Sequence, residues 1–323
     1  MDKKKGWRKM KNKITLTKDN IKILICCHKP CDLPPDPEGI FLPVQVGAAI
    51  SDVDLGMQRD DQVNGEPCDN ISAKNKSYCE LTALYWAWKN IKKLYPNLEY
   101  IGLNHYRRYF SFNKKNYFDD AVVQPEKSVL DYRLNKKKLE KILSRHGAIM
   151  AKPHVCPFSL EIDYSVYHVS EDLRTLKRII HEKFPEYDSN IYSVMTFGCR
   201  FSPYNMNVIG WNDFDAYCTW LFNILFEAEK RIDISNYNAV QGRIFGYMAE
   251  RLFNVWVHHN LRNVKKLNVL KFSDEDYELS KRKYHGIKTA CLFFKRNICA
   301  FFLLFGKHVY SVNQYKKINS WKD

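Results

Sequence analysis

The stretch Glu99-Tyr-Ile-Gly-Leu-Asn-His-Tyr-Arg-Arg-Tyr-Phe110 decides how the rest of the chain is interpreted. Its first half is a short apolar run that predicts a buried strand over Tyr100–Leu103. The polar motif His105-Tyr-Arg-Arg108 follows directly. Ligands of open α/β sheets bind just beyond the carboxyl ends of strands, and arginine is shaped to grip phosphate oxygens in pairs. The pattern indicates a site for a phosphorylated ligand. The alternative is one solvent-exposed arginine and one that pairs with a core carboxylate.

Short strand patterns alternate with helical patterns through the first two thirds of the chain, and the last third is predicted to be helical. The pattern Ser77-x-x-Glu80 predicts a capping box at the start of the first helix, so Glu80 has a structural explanation beside a ligand role. The fold class is therefore α/β. The predicted strands are Ile21–Cys27, Phe41–Val46 and Ala148–Ala151, with mixed β character over Ile191–Phe201, and the later predicted helices are Leu134–Arg145, Ser170–Phe184, Phe214–Glu229 and Gln241–His258.

The net charge of +15 is confined to the two ends of the 323-residue chain. Residues 1–13 hold seven Lys or Arg and one acid, and residues 281–323 hold ten Lys or Arg and one acid. The remaining residues carry equal numbers of basic and acidic side chains. Basic ends favour an anionic partner, either anionic lipid or nucleic acid. Nucleic acid is disfavoured because the charge is terminal and no nucleic-acid-binding motif is present.

The C-terminal tail, residues 281–323, combines its charge with the apolar run Ile298–Phe305. Eight apolar residues are too few to span a bilayer, which takes about 20. Such a run between basic flanks is typical of a helix lying in the interface of an anionic membrane, the alternative being a core helix. Residues 1–20 form a basic extension that no signal-peptide apolar region follows, so we expect a cytoplasmic protein, peripheral on the inner face of the cell membrane.

The ten cysteines do not suggest a disulfide scaffold in a chain of this length. Cys26 and Cys27 lie in an apolar strand, which is typical of a reducing compartment. The cluster of Cys26, Cys27, His28 and Cys31 lacks a second pair at ligand spacing, so we do not predict a metal site there.

Several segments together resemble a bacterial family of polysaccharide-biosynthesis glycosyltransferases, long catalogued as a domain of unknown function. The resemblance covers roughly residues 21–260, and its most specific elements are HYRR at His105–Arg108 and ERLFNVW at Glu250–Trp256. The segment Asn207–Trp211 departs from the family, which usually has a longer apolar stretch there. The other matching segments are Asp69–Ser72, Tyr78–Asn90, Tyr204–Met206, Tyr217–Phe226 and Gln241–Gly246.

The resemblance implies a GT-A-like, nucleotide-sugar-binding domain over residues 21–270, with a donor part over about 21–155 and a helical acceptor part over about 156–270. The implied reaction transfers a hexose, galactose being one candidate, from a UDP-linked or other nucleotide sugar. The acceptor would be a lipid-linked glycan of capsule, exopolysaccharide or O-antigen synthesis. The alternatives are a nucleic-acid-binding protein and a non-catalytic scaffold of a polysaccharide assembly.

Many enzymes of the implied fold hold a divalent metal with Asp-x-Asp at the end of a central strand, where this chain has His105–Arg108. Two guanidinium groups can perform the same task, neutralising the leaving diphosphate. No cofactor is therefore firmly predicted, although Mn²⁺ or Mg²⁺ would suit the fold. Asp52 and Asp54 also spell Asp-x-Asp, in a loop before the first helix, and are the fallback ligands.

Inverting transfer also needs a base that accepts the proton of the acceptor hydroxyl, and the sequence does not decide between inversion and retention. Glu250, followed by Arg251, is the catalytic candidate, and the alternative is a buried Glu–Arg pair that fixes the helix. Asp52 and Asp54 are the fallback for the base as well. Asn205 and Arg243 are the candidates on the acceptor side. The candidate donor-binding residues are His28, Lys29, Asn70, Ser72, Asn75, Glu80, Thr82, Tyr85, His105, Tyr106, Arg107 and Arg108.

Overall fold

The computed structural model of the protein describes residues 14–112, 121–123, 128–156 and 158–272. Its strands are β1 (Ile21–Cys27), β2 (Phe41–Gln45), β3 (Gln58–Arg59), β4 (Gln62–Val63), β5 (Glu66–Pro67), β6 (Tyr100–His105), β7 (Arg108–Phe110), β8 (Ala121–Val123), β9 (Ala148–Ala151), β10 (His154–Val155), β11 (Arg200–Phe201), β12 (Asn207–Gly210), β13 (Val264–Leu267) and β14 (Val269–Lys271). Its α-helices are α1 (Asn75–Tyr78), α2 (Leu81–Leu94), α3 (Lys136–Leu143), α4 (Leu160–Tyr167), α5 (Ser170–Lys183), α6 (Asp188–Ile191), α7 (Trp211–Arg231) and α8 (Ile244–Asn260).

Ten of these strands form one mixed sheet, whose main path has the order β13-β9-β12-β6-β1-β2-β3. Strands β6, β1, β2 and β3 run parallel to one another, and β13 runs parallel to β9. Strand β12 lies between β6 and β9 and is antiparallel to both. Strand β7 pairs with β6 and β14, and β14 also pairs with β8. The predicted α/β class is confirmed as a mixed fold with a mostly parallel central sheet.

Strand β1 lies inside the sheet, between β6 and β2, and all seven of its residues are buried. Parallel strands that are covered on both faces have nearly continuous apolar sequences, and six of the seven residues of β1 are apolar, Lys22 being the exception. Alternate residues pack into different cores: Leu24 belongs to the cluster on one face, and Ile23 and Ile25 belong to the cluster on the other. The sheet is therefore the middle layer between two hydrophobic cores.

The strand predictions hold where the sequence is continuously apolar. Strands Ile21–Cys27 and Ala148–Ala151 are confirmed, and the predicted strand at Tyr100 extends to His105. The β interpretation of Ile191–Phe201 is wrong over most of its length, because Tyr192–Thr196 forms a π-helix. The last third is not only helical, since β13 and β14 belong to the central sheet.

The helix that was predicted to begin at Ser77 is interrupted at Cys79. Cys79 has φ 53° and ψ −131°, a conformation that residues other than glycine rarely adopt, so α1 ends before it and α2 begins at Leu81. The predicted capping box is wrong: the Ser77 hydroxyl donates to the carbonyl of Lys74 at 3.2 Å. The Glu80 carboxylate instead accepts a hydrogen bond from the side chain of Asn205, 125 residues later in the chain.

The two predicted parts of the domain contribute to one sheet, because β12 comes from the acceptor part and lies next to β6 from the donor part. A division of tasks between the two parts stays a prediction. Residues 1–13 and the predicted membrane tail 281–323 lie outside the described residues. Within the described ranges, no helix combines the length and the apolar character that crossing a bilayer requires.

Gly102 in β6 lies against β12 without room for a side chain. A Cβ atom there would lie 2.8 Å from the carbonyl oxygen of Asn207 and 2.9 Å from Cγ2 of Val208. We expect Gly102→Ala to lower the free energy of unfolding by about 1–3 kcal/mol, the usual effect of overpacking a core. Gly147→Ala is the matched control, since no atom lies within 4 Å of a Cβ at that position. Denaturant unfolding would measure both variants, and equal stabilities would contradict the close approach of β6 to β12.

Candidate active site

A cleft of about 930 Å³ lies at the carboxyl ends of β1 and β6, where open α/β sheets bind their ligands. We call it the strand-end cleft. Its walls come from the end of β1, the junction of α1 and α2, the connection between β6 and β7, and the loop that precedes α8. Nine of the candidate residues line it: His28, Lys29, Asn75, Glu80, His105, Tyr106, Arg107, Arg108 and Arg243.

The charged side chains of the strand-end cleft are mostly cationic. Five lysine or arginine residues line it against a single carboxylate, that of Glu80. Clustered cations in a cleft raise the local concentration of anionic ligands, and guanidinium groups match phosphate geometry. This lining therefore fits a ligand with several phosphate oxygens. The cations are Lys29, Lys76, Arg107, Arg108 and Arg243.

A tight hairpin fixes the HYRR motif at the floor of the cleft. His105 pairs with Arg108 across the antiparallel β6–β7 ladder, so Tyr106 and Arg107 form the tip. The backbone N–H of Tyr106 donates to the carbonyl of Cys26 at 3.2 Å, which holds the tip against the end of β1. The Nε atom of Arg108 is buried and has no hydrogen-bond partner among the described residues. Its guanidinium carbon lies 4.8 Å from the centroid of the Tyr204 ring, and the group keeps hydrogen-bonding capacity for a ligand.

His105 is a neutral imidazole with a structural hydrogen bond. Its Nε2 atom lies 2.8 Å from the carbonyl oxygen of Tyr204, so Nε2 carries the proton and donates it. Burial, followed by the charge of Arg108, lowers the pKa of His105 to about 3. A group with that pKa is a poor general base at neutral pH, so His105 positions the site instead of moving protons.

The loop before β12 has a strained backbone that three parts of the site share. Tyr204 and Asn205 both have positive φ, at 75° and 54°. The Tyr204 carbonyl accepts from His105, and the Tyr204 N–H donates to Oε1 of Glu250 at 2.7 Å. Asn205 donates through Nδ2 to Oε1 of Glu80, also at 2.7 Å. This dipeptide therefore joins the end of β6, the start of α2 and the middle of α8.

Glu80 is the only acidic residue among those that line the strand-end cleft in the described part of the chain. Burial raises the pKa of its carboxyl group, whereas the hydrogen bond from Asn205 and the charge of Arg243 act in the opposite direction. Carboxylate oxygens accept hydrogen bonds from hydroxyl groups and can take up a proton. Glu80 is therefore the described residue of this cleft best suited to either task.

Glu250 and Arg251, the predicted catalytic pair, lie on α8 and do not line the strand-end cleft. Glu250 accepts from the Tyr204 N–H, and its Oε2 lies 3.2 Å from Nη1 of Arg251. Arg251 is 4% exposed, and its Nη2 lies 3.6 Å from Oδ2 of Asp163. The geometry matches the buried Glu–Arg pair that the sequence left open as the alternative. A catalytic role for Glu250 stays a prediction.

A family profile described as Domain of unknown function (DUF4422) matches residues 22–261. The chain belongs to this family. Its structure is similar to that of the bifunctional glycosyltransferase WbbM in the apo state, with a TM-score of 0.67 and 28% identity over 79% of this chain. The match covers 45% of the WbbM chain, so it spans less than half of that protein. A comparison with curated proteins finds no match.

Four candidate donor residues of this DUF4422 domain do not line the strand-end cleft and form hydrogen bonds within the fold. Asn70 accepts from the backbone N–H of Ser72, and the Ser72 hydroxyl donates to a buried aspartate. The Thr82 hydroxyl donates to the Cys79 carbonyl, and the Tyr85 hydroxyl donates to Asp69. Their direct contact with a ligand stays a prediction. In chain order, the four are Asn70, Ser72, Thr82 and Tyr85.

Asp60 supports the same wall from inside the protein. It is fully buried and accepts hydrogen bonds from the backbone N–H groups of Gly47 at 2.8 Å and Ala48 at 3.0 Å, as well as from the Ser72 hydroxyl. These bonds tie the loop after β2 to the segment before α1. Asn75, at the start of α1, both lines the cleft and donates to the Cys79 carbonyl at 2.8 Å.

The Asp-x-Asp pair does not reach the strand-end cleft. Asp52 and Asp54 are exposed, do not line it, and the Asp54 carboxylate accepts from the N–H of Gly56 at 2.8 Å. Mg²⁺ and Mn²⁺ prefer several oxygen ligands, whereas the described lining offers one carboxylate. In the described ranges, no three His, Cys, Asp or Glu side chains are grouped to hold a metal ion. Because Mg²⁺ can be held by one carboxylate together with the phosphate oxygens of a ligand, a divalent metal at this site stays a prediction.

The loop before α8 adds lining residues that the sequence presents only as a connection. Tyr237 and Asn238 line the cleft, and the Tyr237 hydroxyl lies 2.9 and 2.8 Å from the two carboxylate oxygens of Asp172. Arg243, predicted on the acceptor side, donates through Nε to Sγ of Cys79 at 3.2 Å. Only the packing of α8 against α1 brings this loop to the cleft, and no local sequence signal marks it.

Asp172, which binds the Tyr237 hydroxyl, should make a contribution to stability that depends on pH. Burial raises the pKa of Asp172 from 3.8 to about 7. Between those values the folded state binds more protons than the unfolded chain, so the free energy of unfolding falls as pH rises through that window. Between about pH 5 and pH 8, we expect the free energy of unfolding of wild type to fall by up to about 2 kcal/mol more than that of Asp172→Asn.

Denaturant unfolding at both pH values would measure this difference. The exposed residue Glu66, whose charge does not act on Asp172, provides the control, because Glu66→Gln should keep the wild-type pH dependence. Identical pH dependence in wild type and Asp172→Asn would show that Asp172 keeps its ordinary pKa.

Proposed function

We propose that this protein is a glycosyltransferase of GT-A-like fold that moves a hexose from a nucleotide sugar to a glycan acceptor. The observation that carries the proposal is the strand-end cleft, where five cationic side chains gather at the carboxyl ends of parallel strands. The likeness to WbbM supports the transferase class. A UDP-linked donor, galactose as the sugar, and a lipid-linked acceptor of capsule, exopolysaccharide or O-antigen synthesis rest on the sequence resemblance.

In this proposal Arg107, Arg108 and Arg243 bind the donor diphosphate. Breaking the bond between the sugar and the phosphate leaves a nucleoside diphosphate with additional negative charge. Guanidinium groups that are already fixed in place stabilise that charge without reorganising, which is the largest contribution in many enzymes. His28 and Lys29, beyond the end of β1, line the same cleft beside Tyr106 and would contact the nucleotide there.

A transfer with inversion needs a group that accepts the proton of the acceptor hydroxyl. We assign this role first to Glu80, because it is the acidic residue in the described lining and because burial raises its pKa toward neutrality. A carboxylate with a raised pKa is a stronger base than an exposed one. Glu250 is the second candidate, since burial raises its pKa as well.

A peripheral position on the inner face of the membrane belongs to the same proposal. Its support is the charge of residues 281–323, of which ten are lysine or arginine and one is acidic. Anionic lipid attracts such segments at about 1 kcal/mol per basic residue near the surface. No feature of the described residues favours nucleic acid as a partner over nucleotide sugar.

Nucleotide binding separates a transferase from a scaffold protein. We expect UDP, tested beside GDP and CMP, to raise the melting temperature of the full chain, and EDTA to leave that shift unchanged. Arg108→Ala should weaken UDP binding about 10- to 100-fold, since a hydrogen bond to a charged group contributes about 1.5–3 kcal/mol. Arg174→Ala, on the exposed face of α5, is the matched control.

Two results would contradict this account. If no nucleotide stabilises the protein, the transferase proposal fails. If the UDP shift requires Mn²⁺ and disappears with EDTA, the metal-independent role of the arginines fails while the transferase proposal survives.

The proton acceptor can be identified with a pair of matched variants. Glu80→Gln keeps an oxygen for the Asn205 amide but cannot take up a proton, so transfer should fall about 100- to 10,000-fold with UDP affinity unchanged. Glu250→Gln should lower transfer far less. Loss of transfer in Glu250→Gln alone would assign the base to Glu250, and full activity in both variants would place it elsewhere.

A further inference from the structure

A second cleft, of about 570 Å³, lies beside the central sheet. Its walls come from β9, β13, the end of α8 and the segment around the π-helix Tyr192–Thr196. We call it the lateral cleft. One part of its lining is apolar and includes Met150, Leu261 and Phe197, whose side chain is 78% exposed. The other part is basic.

The basic part consists of Arg200, Arg262, Lys266 and His258, and no carboxylate lines the lateral cleft among the described residues. None of the ion pairs within the described ranges involves the two arginines or the lysine. Partial burial of the side chain, followed by the charge of Arg200, lowers the pKa of the exposed Lys266, so the two cations are close enough to repel each other. An anion in the cleft would remove that repulsion.

The wall of the lateral cleft is held rigidly by backbone contacts. Gly198 lies so close to the preceding π-helix that a Cβ atom would overlap the carbonyl oxygen of Val194. The Gly198 carbonyl accepts from the N–H of Leu160 at 2.9 Å. Ser202 and Asn254 exchange two hydrogen bonds, at 3.0 and 2.9 Å. Isolated π-helical turns are frequent at functional sites, and this one shapes a cleft.

The lateral cleft lies close to the strand-end cleft, although none of the described lining residues belongs to both. Ser202 lines the lateral cleft, and Asn205 bonds Glu80, which lines the strand-end cleft. Three residues of chain span at most about 10 Å. On α8, Asn254 lines the lateral cleft, and Glu250, one turn earlier, binds the same loop. The two clefts are therefore neighbours within one site region.

We propose that the lateral cleft binds the phosphate end of the acceptor, a phosphate or diphosphate carried on an apolar chain. Arg200, Arg262 and Lys266 would hold the phosphate oxygens, and the apolar lining would cover the start of the chain. The ligand's identity as an acceptor rests on the proposed glycosyl transfer. The binding of a phosphate carried on an apolar chain can be measured without any transfer.

The test uses farnesyl diphosphate, titrated by calorimetry into the full chain with UDP saturating the strand-end cleft, and again without UDP. Inorganic pyrophosphate is the second probe. We expect farnesyl diphosphate to bind in both titrations and more tightly than pyrophosphate. The double variant Arg200→Ala, Lys266→Ala should weaken its binding at least about 10-fold, because two charged hydrogen-bond donors are lost.

Lys265→Ala is the matched control, because the neighbouring position on β13 carries the same charge on the opposite face of the sheet and does not line the lateral cleft. Its affinity for farnesyl diphosphate should equal that of wild type. Failure of both probes to bind, or an equal loss in Lys265→Ala, would overturn the proposal. Equal affinities for the two probes would overturn the part played by the apolar chain. The double variant should still be stabilised by UDP, so this result is separate from a failure of the transferase proposal, in which UDP stabilises no variant.

Discussion

The arrangement of the site depends on two consecutive residues with left-handed backbone, Tyr204 and Asn205. Such conformations cost of order 1–3 kcal/mol and persist only where surrounding contacts determine them. Here the compensation comes from hydrogen bonds to His105, Glu80 and Glu250, two of which involve carboxylates and so exceed the contribution of a neutral bond. The three partners come from three different elements. Because one dipeptide binds all three partners, losing one hydrogen bond would weaken the others. The position of His105 in the cleft floor is therefore coupled to that of the Glu80 carboxylate.

The positive field at the strand-end cleft depends on where the fold places the charged side chains and not on the net charge of the chain. Outside its two ends the chain carries equal numbers of basic and acidic side chains, yet the strand-end cleft gathers five cations around one carboxylate. Many acids of the described region pair on the outer surfaces of helices, as Glu227 does with Arg231 and Lys230. Acids that pair there do not cancel the positive field at the strand ends. A count of charges along the sequence therefore directs attention to the termini and away from the cleft.

Features that one strand or one motif encodes could be predicted from the sequence. Six of the seven residues of strand β1 are apolar, which makes the strand predictable, and HYRR lies at the end of a predicted strand, as its sequence position indicates. Glu80 shows where local pattern fails: its S-x-x-E spacing predicts a cap, but a bond to Asn205, 125 residues away, decides its position. Tyr237 was missed for the same reason, since only tertiary packing carries its loop to the cleft. The π-helix likewise depends on the close approach of Gly198, which no periodicity reveals.

The antiparallel position of β12 has a consequence for how the chain assembles. Strand β12 begins at Asn207 and must enter between β6 and β9, which are synthesised well before it. Until it arrives, the inner edges of both earlier strands expose unpaired backbone groups, the kind of surface that recruits foreign strands. Sheets built from such distant segments fold slowly, and domains emerge from the ribosome N-terminus first. A nascent chain in which β6 and β9 formed first would have an open sheet centre, and protection by chaperones would matter most at that stage.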